Sequence, residues 1–141
     1  MSRTLHLSDG ASVRVIEAGA GAPLLLIHGV GMRAEAWRPQ IAALSADNLV
    51  IAVDLPGHGE SDPLPGVPDL PDYVVWAARV ILALAIGPVS VAGHSRGSLI
   101  AGGLAIERPD LVRRVALLNG VHRRGPEARA AVLARAAEIA T

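Results

Sequence analysis

The chain has 141 residues, of which 51% are hydrophobic and only 2% aromatic, with 13 basic against 13 acidic side chains and no cysteine. This length supports one domain or part of one; the balanced charge gives no global field for nucleic acid or an anionic membrane, the few aromatic rings leave no platform for stacked bases, and the lack of cysteine excludes disulfides and thiolate metal sites. Apolar runs are interrupted by charge, Gly or Pro well short of the ~18 residues of a membrane span, and Met1 to His6 lack an apolar signal core, so a cytoplasmic location is expected.

In chain order, Thr4 to Leu7 and Ser12 to Glu17 flank the turn residues Ser8-Asp9-Gly10 and predict an opening hairpin, which Gly19-Ala20-Gly21 breaks. Leu24-Leu25-Leu26-Ile27 is an apolar run of strand length. Ala34 to Ser45 carries Trp37, Ile41 and Leu44 on one helical face, with Pro39 in the first turn. Leu49 to Val53 reads as another buried strand. Asp62 to Pro71 holds four prolines and reads as a loop. Asp72 is then the expected cap of a helix that aligns Trp76, Val80 and Leu84 and ends at Gly87. Pro88 to Ala92 predicts a strand and Ser98 to Arg108 a helix stopped by Pro109. Val112 to Leu118 predicts a last strand with Asn119-Gly120 as its exit. Strands alternating with helices argue a mainly parallel sheet covered by helices on both faces, an α/β fold. No internal repeat is visible.

Between the strand ending at Ala92 and the helix from Ser98 stands Gly93-His94-Ser95-Arg96-Gly97. This is a G-x-S-x-G pentapeptide in the strand-turn-helix setting of a nucleophile elbow. An abrupt strand-to-helix turn strains the serine backbone and needs small residues two before and two after it, places filled by Gly93 and Gly97. The turn exposes the Ser95 hydroxyl and aims the first helical N–H groups at an anion formed there. Alone, the pentapeptide also fits a Gly/Ser-rich loop without chemistry. Two further segments argue against that alternative. The first apolar run ends in His28-Gly29-Val30-Gly31, a small-residue loop of the type that supplies an oxyanion N–H. The Leu49 to Val53 strand ends in the loop Asp54-Leu55-Pro56-Gly57-His58-Gly59-Glu60-Ser61-Asp62.

With these three motifs in this order, the chain resembles the amino-terminal half of an α/β-hydrolase fold protein over essentially all of residues 1–141. The resemblance implies that Ser95 is the nucleophile and that the backbone N–H groups of Val30 and Arg96 form the oxyanion hole. It implies structural roles for His28, Gly29, Gly31, Gly93, His94 and Gly97, and no cofactor or metal. One departure is Ser98, where the family often has a further glycine. The family's triad runs serine, acid, histidine in chain order, and the regions that would carry the last two are not found by Thr141. The expectation is therefore a fold truncated after about the sixth strand, a fragment with little activity alone. Glu127 and Glu138 come late enough to be weighed as the acid, but lie in a helix-prone tail. That tail, residues 126–141, reads equally as the start of a cap helix or as a solvated end.

The activity implied is hydrolysis of a small ester, lactone or thioester through an acyl-enzyme, an esterase-type reaction on a small-molecule substrate. A non-catalytic ligand-binding or interaction protein on the same scaffold is the alternative, with self-association through an exposed sheet edge. Arg96 carries a specificity clue: a guanidinium facing the pocket would favour an acidic acyl group, and one turned away would leave only its N–H in use. His58, among Asp54, Glu60 and Asp62, reads as part of a turn network rather than a metal site. His6 and His122 are expected at the surface.

Overall fold

The computed structural model describes residues 1–120 and 125–140. Six strands form one sheet: β1 (Ser2–His6), β2 (Ser12–Ala18), β3 (Ala22–Ile27), β4 (Asn48–Val53), β5 (Val89–His94) and β6 (Val112–Leu118). Their spatial order is β1-β2-β4-β3-β5-β6. The hairpin β1–β2 is antiparallel and joins β4 antiparallel, whereas β4, β3, β5 and β6 run parallel. The expected α/β class and mainly parallel sheet are thus observed.

Helices cover both faces because each strand buries alternate side chains on each side. Leu25 and Ile27 of β3 join the core beneath α2 (Leu70–Leu84) and α3 (Arg96–Glu107), with Trp76, Val80, Ile81, Ile100 and Leu104. Leu26 faces the other way, packing with Val50, Ala52, Ala34, Trp37 and Ile41. Full burial of one such aliphatic chain contributes roughly 1.5–3 kcal/mol, so both layers are needed to hold the strand ends that carry the site. No helix among the described residues is long and apolar enough to cross a membrane.

Three local expectations need correction. The segment from Ala34 is a 3-10 turn over Ala34–Trp37 that passes into α1 (Arg38–Leu44), with Pro39 at its start. Its buried face is Ala34, Trp37 and Ile41, while Leu44 remains 38% exposed, because the tighter first turn rotates the later residue away from the sheet. The N-cap of α2 is Asp69, not Asp72: the Asp69 carboxylate accepts the Asp72 N–H at 3.1 Å, and the Asp72 carboxylate accepts the Asp69 N–H at 2.9 Å. This reciprocal capping box lets Pro71 sit in the first turn, where no N–H is required. At the other end the helix stops at Leu84 rather than running to Gly87: Ala85 is the left-handed cap (φ 55°), and Gly87 follows at φ 77°.

β6 is an edge strand, at the opposite end of the sheet from β1. Every residue from Arg113 to Leu118 is exposed, and β5 is its sole strand neighbour among the described residues. The tail forms α4 (Pro126–Ala140). His122 lies outside the described residues.

Candidate active site

The elbow has the geometry that its composition demands. Ser95 sits between β5 and α3 at φ 55°, ψ −116°, a backbone conformation strained for an L-residue. Both glycines are required by close approach. A Cβ on Gly93 would run into the Gly97 carbonyl, and one on Gly97 would run into the Ile27 and His28 carbonyls. The Ser95 N–H donates to the Leu118 carbonyl at 2.8 Å, and the Ser98 hydroxyl donates to the Ser95 carbonyl at 2.5 Å. Ser98 is therefore a useful occupant of its position: its hydroxyl clips the elbow, and a Cβ on the neighbouring Gly120 would crowd it. Ser95 itself is exposed. Among the described residues its hydroxyl has no carboxylate or imidazole within hydrogen-bond reach.

The loop after β3 closes against this serine. A Cβ on Gly29 would come within 3.1 Å of the Ser95 Cβ and 3.3 Å of the His94 carbonyl, so only glycine admits that approach. Gly31 follows at φ 79°. Neither the Val30 nor the Arg96 N–H is engaged in a turn, loop or cap hydrogen bond among the described residues. Arg96 opens α3, where the first N–H groups have no intrahelical partner and carry the positive end of the helix dipole.

Two histidines tie this loop to the one after β4. His28 is buried; its Nδ1–H donates to the Gly29 carbonyl at 2.7 Å, and its Nε2 accepts the Leu55 N–H at 2.9 Å. With both ring nitrogens committed in this way the imidazole is neutral. Burial holds its pKa below the ordinary value of 6.5, against the pull of the Gly29 carbonyl and of Asp54 and Glu35 and with the neighbouring His58 adding to the depression. His58 mirrors the arrangement. Its Nδ1 meets the Pro56 carbonyl at 3.0 Å, and its Nε2 accepts the Gly31 N–H at 3.0 Å.

Beneath them lies a buried polar knot. The Asp54 carboxylate is inaccessible to solvent and accepts the Ala34 N–H at 2.8 Å and the Glu60 N–H at 3.0 Å. Arg14 of β2 reaches it at 3.4 Å and pairs with Glu60 at 3.1 Å and with Glu35. Burial disfavours the Arg14 charge, yet Glu35 and Asp54 together hold its pKa above the usual value. The Ser61 hydroxyl donates to the Asp54 carbonyl at 2.7 Å and accepts the Arg14 N–H at 3.0 Å. The turn network expected around His58 is thus a set of specific bonds joining β2, β4 and the start of the 3-10 turn. A chain reading by local pattern has no signal for these long-range partners.

Other singled-out residues fall in different places. The His94 ring leaves the elbow sideways, and its Nε2 faces the Asn119 side-chain amide at 3.0 Å. It lines a cavity of about 240 Å³ with His28, Met32, Trp37, Gln40 and Leu118, beside the elbow. A larger groove of about 640 Å³ lies between α2 and α3, lined by Val74, Val75, Ala78, Leu82 and Gly103; none of the elbow residues borders it, whereas His94 of the elbow borders the smaller cavity. His6 is on the exposed hairpin, with Ser12 Oγ at 3.3 Å from its Nδ1. Glu127 and Glu138 are both on α4. The Arg96 guanidinium lies over the Tyr73 ring, 4.6 Å from its centre, a contact that nothing in the sequence pattern announced.

A serine raised on a strained strand-to-helix turn, a glycine loop folded against it and a mainly parallel sheet define an α/β hydrolase architecture. The chain belongs to the alpha/beta hydrolase fold family, whose model matches residues 22–138. It is 52% identical over 136 residues to the (E)-2-((N-methylformamido)methylene)succinate hydrolase of Acinetobacter baylyi, a match covering 96% of this chain and 52% of that protein. Among solved structures, an E-2-(acetamidomethylene)succinate hydrolase superposes with a TM-score of 0.90 at 32% identity, over 96% of this chain and 50% of that one. A hydrolase from Pseudomonas aeruginosa PA01 superposes with a TM-score of 0.82 at 30% identity, over 94% of this chain and 52% of that one. The chain thus spans about half the length of the relatives it matches.

Proposed function

We propose that this chain carries the nucleophile half of a serine hydrolase site. Ser95 attacks an acyl carbon, the N–H groups of Val30 and Arg96 hold the resulting oxyanion, and water then releases the acyl group from the serine. The observation that carries this reading is the backbone of Ser95: a strained conformation, maintained by two glycines that nothing larger can replace, presents an exposed hydroxyl, and the Val30 and Arg96 N–H groups have no turn, loop or cap partner among the described residues. His28, Gly29, Gly31, Gly93, His94 and Gly97 build the floor of the site, and α4 is the first helix of a cap.

The substrate class expected from the motifs is a small ester, lactone or thioester. The names of the two succinate hydrolases add N-acyl compounds bearing two carboxylates, and we extend the proposal to that class. A hydroxyl without an oriented base is a weak nucleophile; without a full triad, only ~10³–10⁴-fold over water remains from the oxyanion hole and binding. With no base oriented on Ser95 among the described residues, slow reaction of this chain is expected. Reaction with a fluorophosphonate probe, with Ser95→Ala as control, tests the proposal. Slow, Ser95-dependent labelling of folded protein supports it, and labelling that persists in Ser95→Ala removes it.

A second reading, association through an open edge, is favoured by β6, whose Val115, Leu117 and Leu118 are 41%, 55% and 44% exposed. A strand with one free side and apolar faces is a template for pairing.

A further inference from the structure

Among the described residues, the cation next to the serine has no counter-ion. Among the described residues, Arg14 is surrounded by Glu35, Asp54 and Glu60, whereas Arg96 makes no ion pair at all. Its guanidinium rests on Tyr73, and its Nε, shut off from solvent, has no hydrogen-bond acceptor. A half-buried charge with an unsatisfied N–H is an unfavourable arrangement that packing alone does not explain. Stacking on the aromatic face offsets part of the cost and fixes the plane of the fork, leaving its terminal N–H groups, which are not shut off as Nε is, for an incoming acceptor.

The place is also specific. β4 delivers the chain to the carboxyl edge of the sheet, and α2 begins there after the proline-rich loop, with Tyr73 in its first turn. Ser95 stands at the same edge, at the end of β5. Arg96 therefore offers two things from one residue: a backbone N–H beside the serine and a charged fork held over α2.

We propose that Arg96 recognises a carboxylate of the substrate, so that the site selects anionic acyl compounds, dicarboxylates in particular, over neutral ones. The carboxylate supplies the counter-charge that the guanidinium lacks, on its two terminal N–H groups, in the bidentate geometry that favours Arg over Lys. The proposal rests on the hydrolase reading for the placement of substrate at Ser95. The side chain is turned toward α2 and rests there on Tyr73.

The test is calorimetric titration of the 141-residue chain with succinate, with dimethyl succinate and inorganic phosphate as comparators, in the wild type, Arg96→Gln, Arg96→Lys and Tyr73→Leu, each checked for folding by circular dichroism. Succinate is expected to bind the wild type at least ~10-fold more tightly than Arg96→Gln, with Arg96→Lys and Tyr73→Leu between them and dimethyl succinate indifferent to all the changes. Should Arg96→Gln fail to fold, the loss in Arg96→Lys, which keeps the charge without the fork, carries the test. Undetectable succinate binding to the wild type, equal affinity in the variants, or phosphate binding as tight as succinate overturns the proposal. Fluorophosphonate labelling of the same samples separates it from the hydrolase reading. Labelling without Arg96-dependent succinate binding keeps the hydrolase and removes this role, whereas the reverse keeps the carboxylate site and removes the hydrolase.

Discussion

His28 and His58 form a reciprocal pair, each ring accepting an N–H from the other's loop: Leu55 N–H to His28 at 2.9 Å, and Gly31 N–H to His58 at 3.0 Å, with ring centres 5.3 Å apart. The loop that abuts Ser95 is therefore clamped twice to the loop after β4. The two clamps differ in burial, and that difference sets what each is worth.

Replacing His28 with Leu leaves the buried Leu55 N–H without an acceptor, which costs roughly 1–3 kcal/mol beyond any change in packing. Replacing His58 with Leu frees the Gly31 N–H at an exposed position, where water substitutes, and the cost is below about 1 kcal/mol. Urea denaturation of the two variants measures the difference, and equal losses would contradict the asymmetry.

Stability should fall on the acid side of neutrality. The folded-state pKa of His28 lies below the unfolded value of 6.5, because burial disfavours the cation. Between those two values the unfolded chain binds the extra proton and the folded chain does not, so the unfolding free energy rises with pH there. The contribution is complete above about pH 6.5 and is lost as the pH falls through the window, at no more than ~1.4 kcal/mol per pH unit. A series of urea titrations across this range shows the slope. His28→Asn, which does not titrate, removes that part of it.

The elbow glycines tolerate no side chain. Gly97→Ala places a methyl group against the Ile27 and His28 carbonyls, and Gly93→Ala places one against the Gly97 carbonyl. Backbone cannot yield as a flexible side-chain tip does, so each substitution is expected to cost ~3 kcal/mol or to prevent folding. Gly10→Ala is the control, since its Cβ meets nothing within 4 Å and its positive φ alone brings a cost nearer ~1 kcal/mol. Thermal denaturation followed by circular dichroism ranks the three.

The capping box of α2 is a coupled unit. Asp69→Ala and Asp72→Ala each remove one of two reciprocal bonds, at about 1 kcal/mol for the first and less for the second. The double variant should cost less than the sum, because the second loss falls on a box already broken. Additive losses would show that the two bonds act separately.

Association through β6 is concentration-dependent. Val115→Lys with Leu117→Lys places charges on an exposed edge strand, where they oppose pairing without disturbing the buried core. Sedimentation velocity should show a self-associating wild type and a monomeric double variant. A wild type that stays monomeric at high concentration removes the second reading of function.

The fold was legible because its main signals are local. Leu24 to Ile27, Leu49 to Val53 and Val112 to Leu118 are apolar runs bounded by turn residues, and the elbow glycines state their own packing requirement. Local pattern misleads where two residues of the same type compete for one role. Asp69 and Asp72 both suit an N-cap, and only the box geometry assigns Asp69 to the cap and Asp72 to the third helical position. Leu44 fits a helical stripe of period 3.6, but the preceding 3-10 turn shifts the phase. The links of His58 to Gly31, Arg14 to Asp54 and Arg96 to Tyr73 span 27, 40 and 23 residues of sequence, and no periodicity encodes such pairings.

One bond ties the two readings of this chain together. The amide of Ser95 hangs from the carbonyl of Leu118, the last residue of the strand whose outer side is open. The serine is thus suspended from the least supported strand of the parallel part of the sheet. Fraying of β6 would release the serine amide, and a strand laid along β6 would steady it. A strand paired along β6 is therefore also a strut for the serine amide.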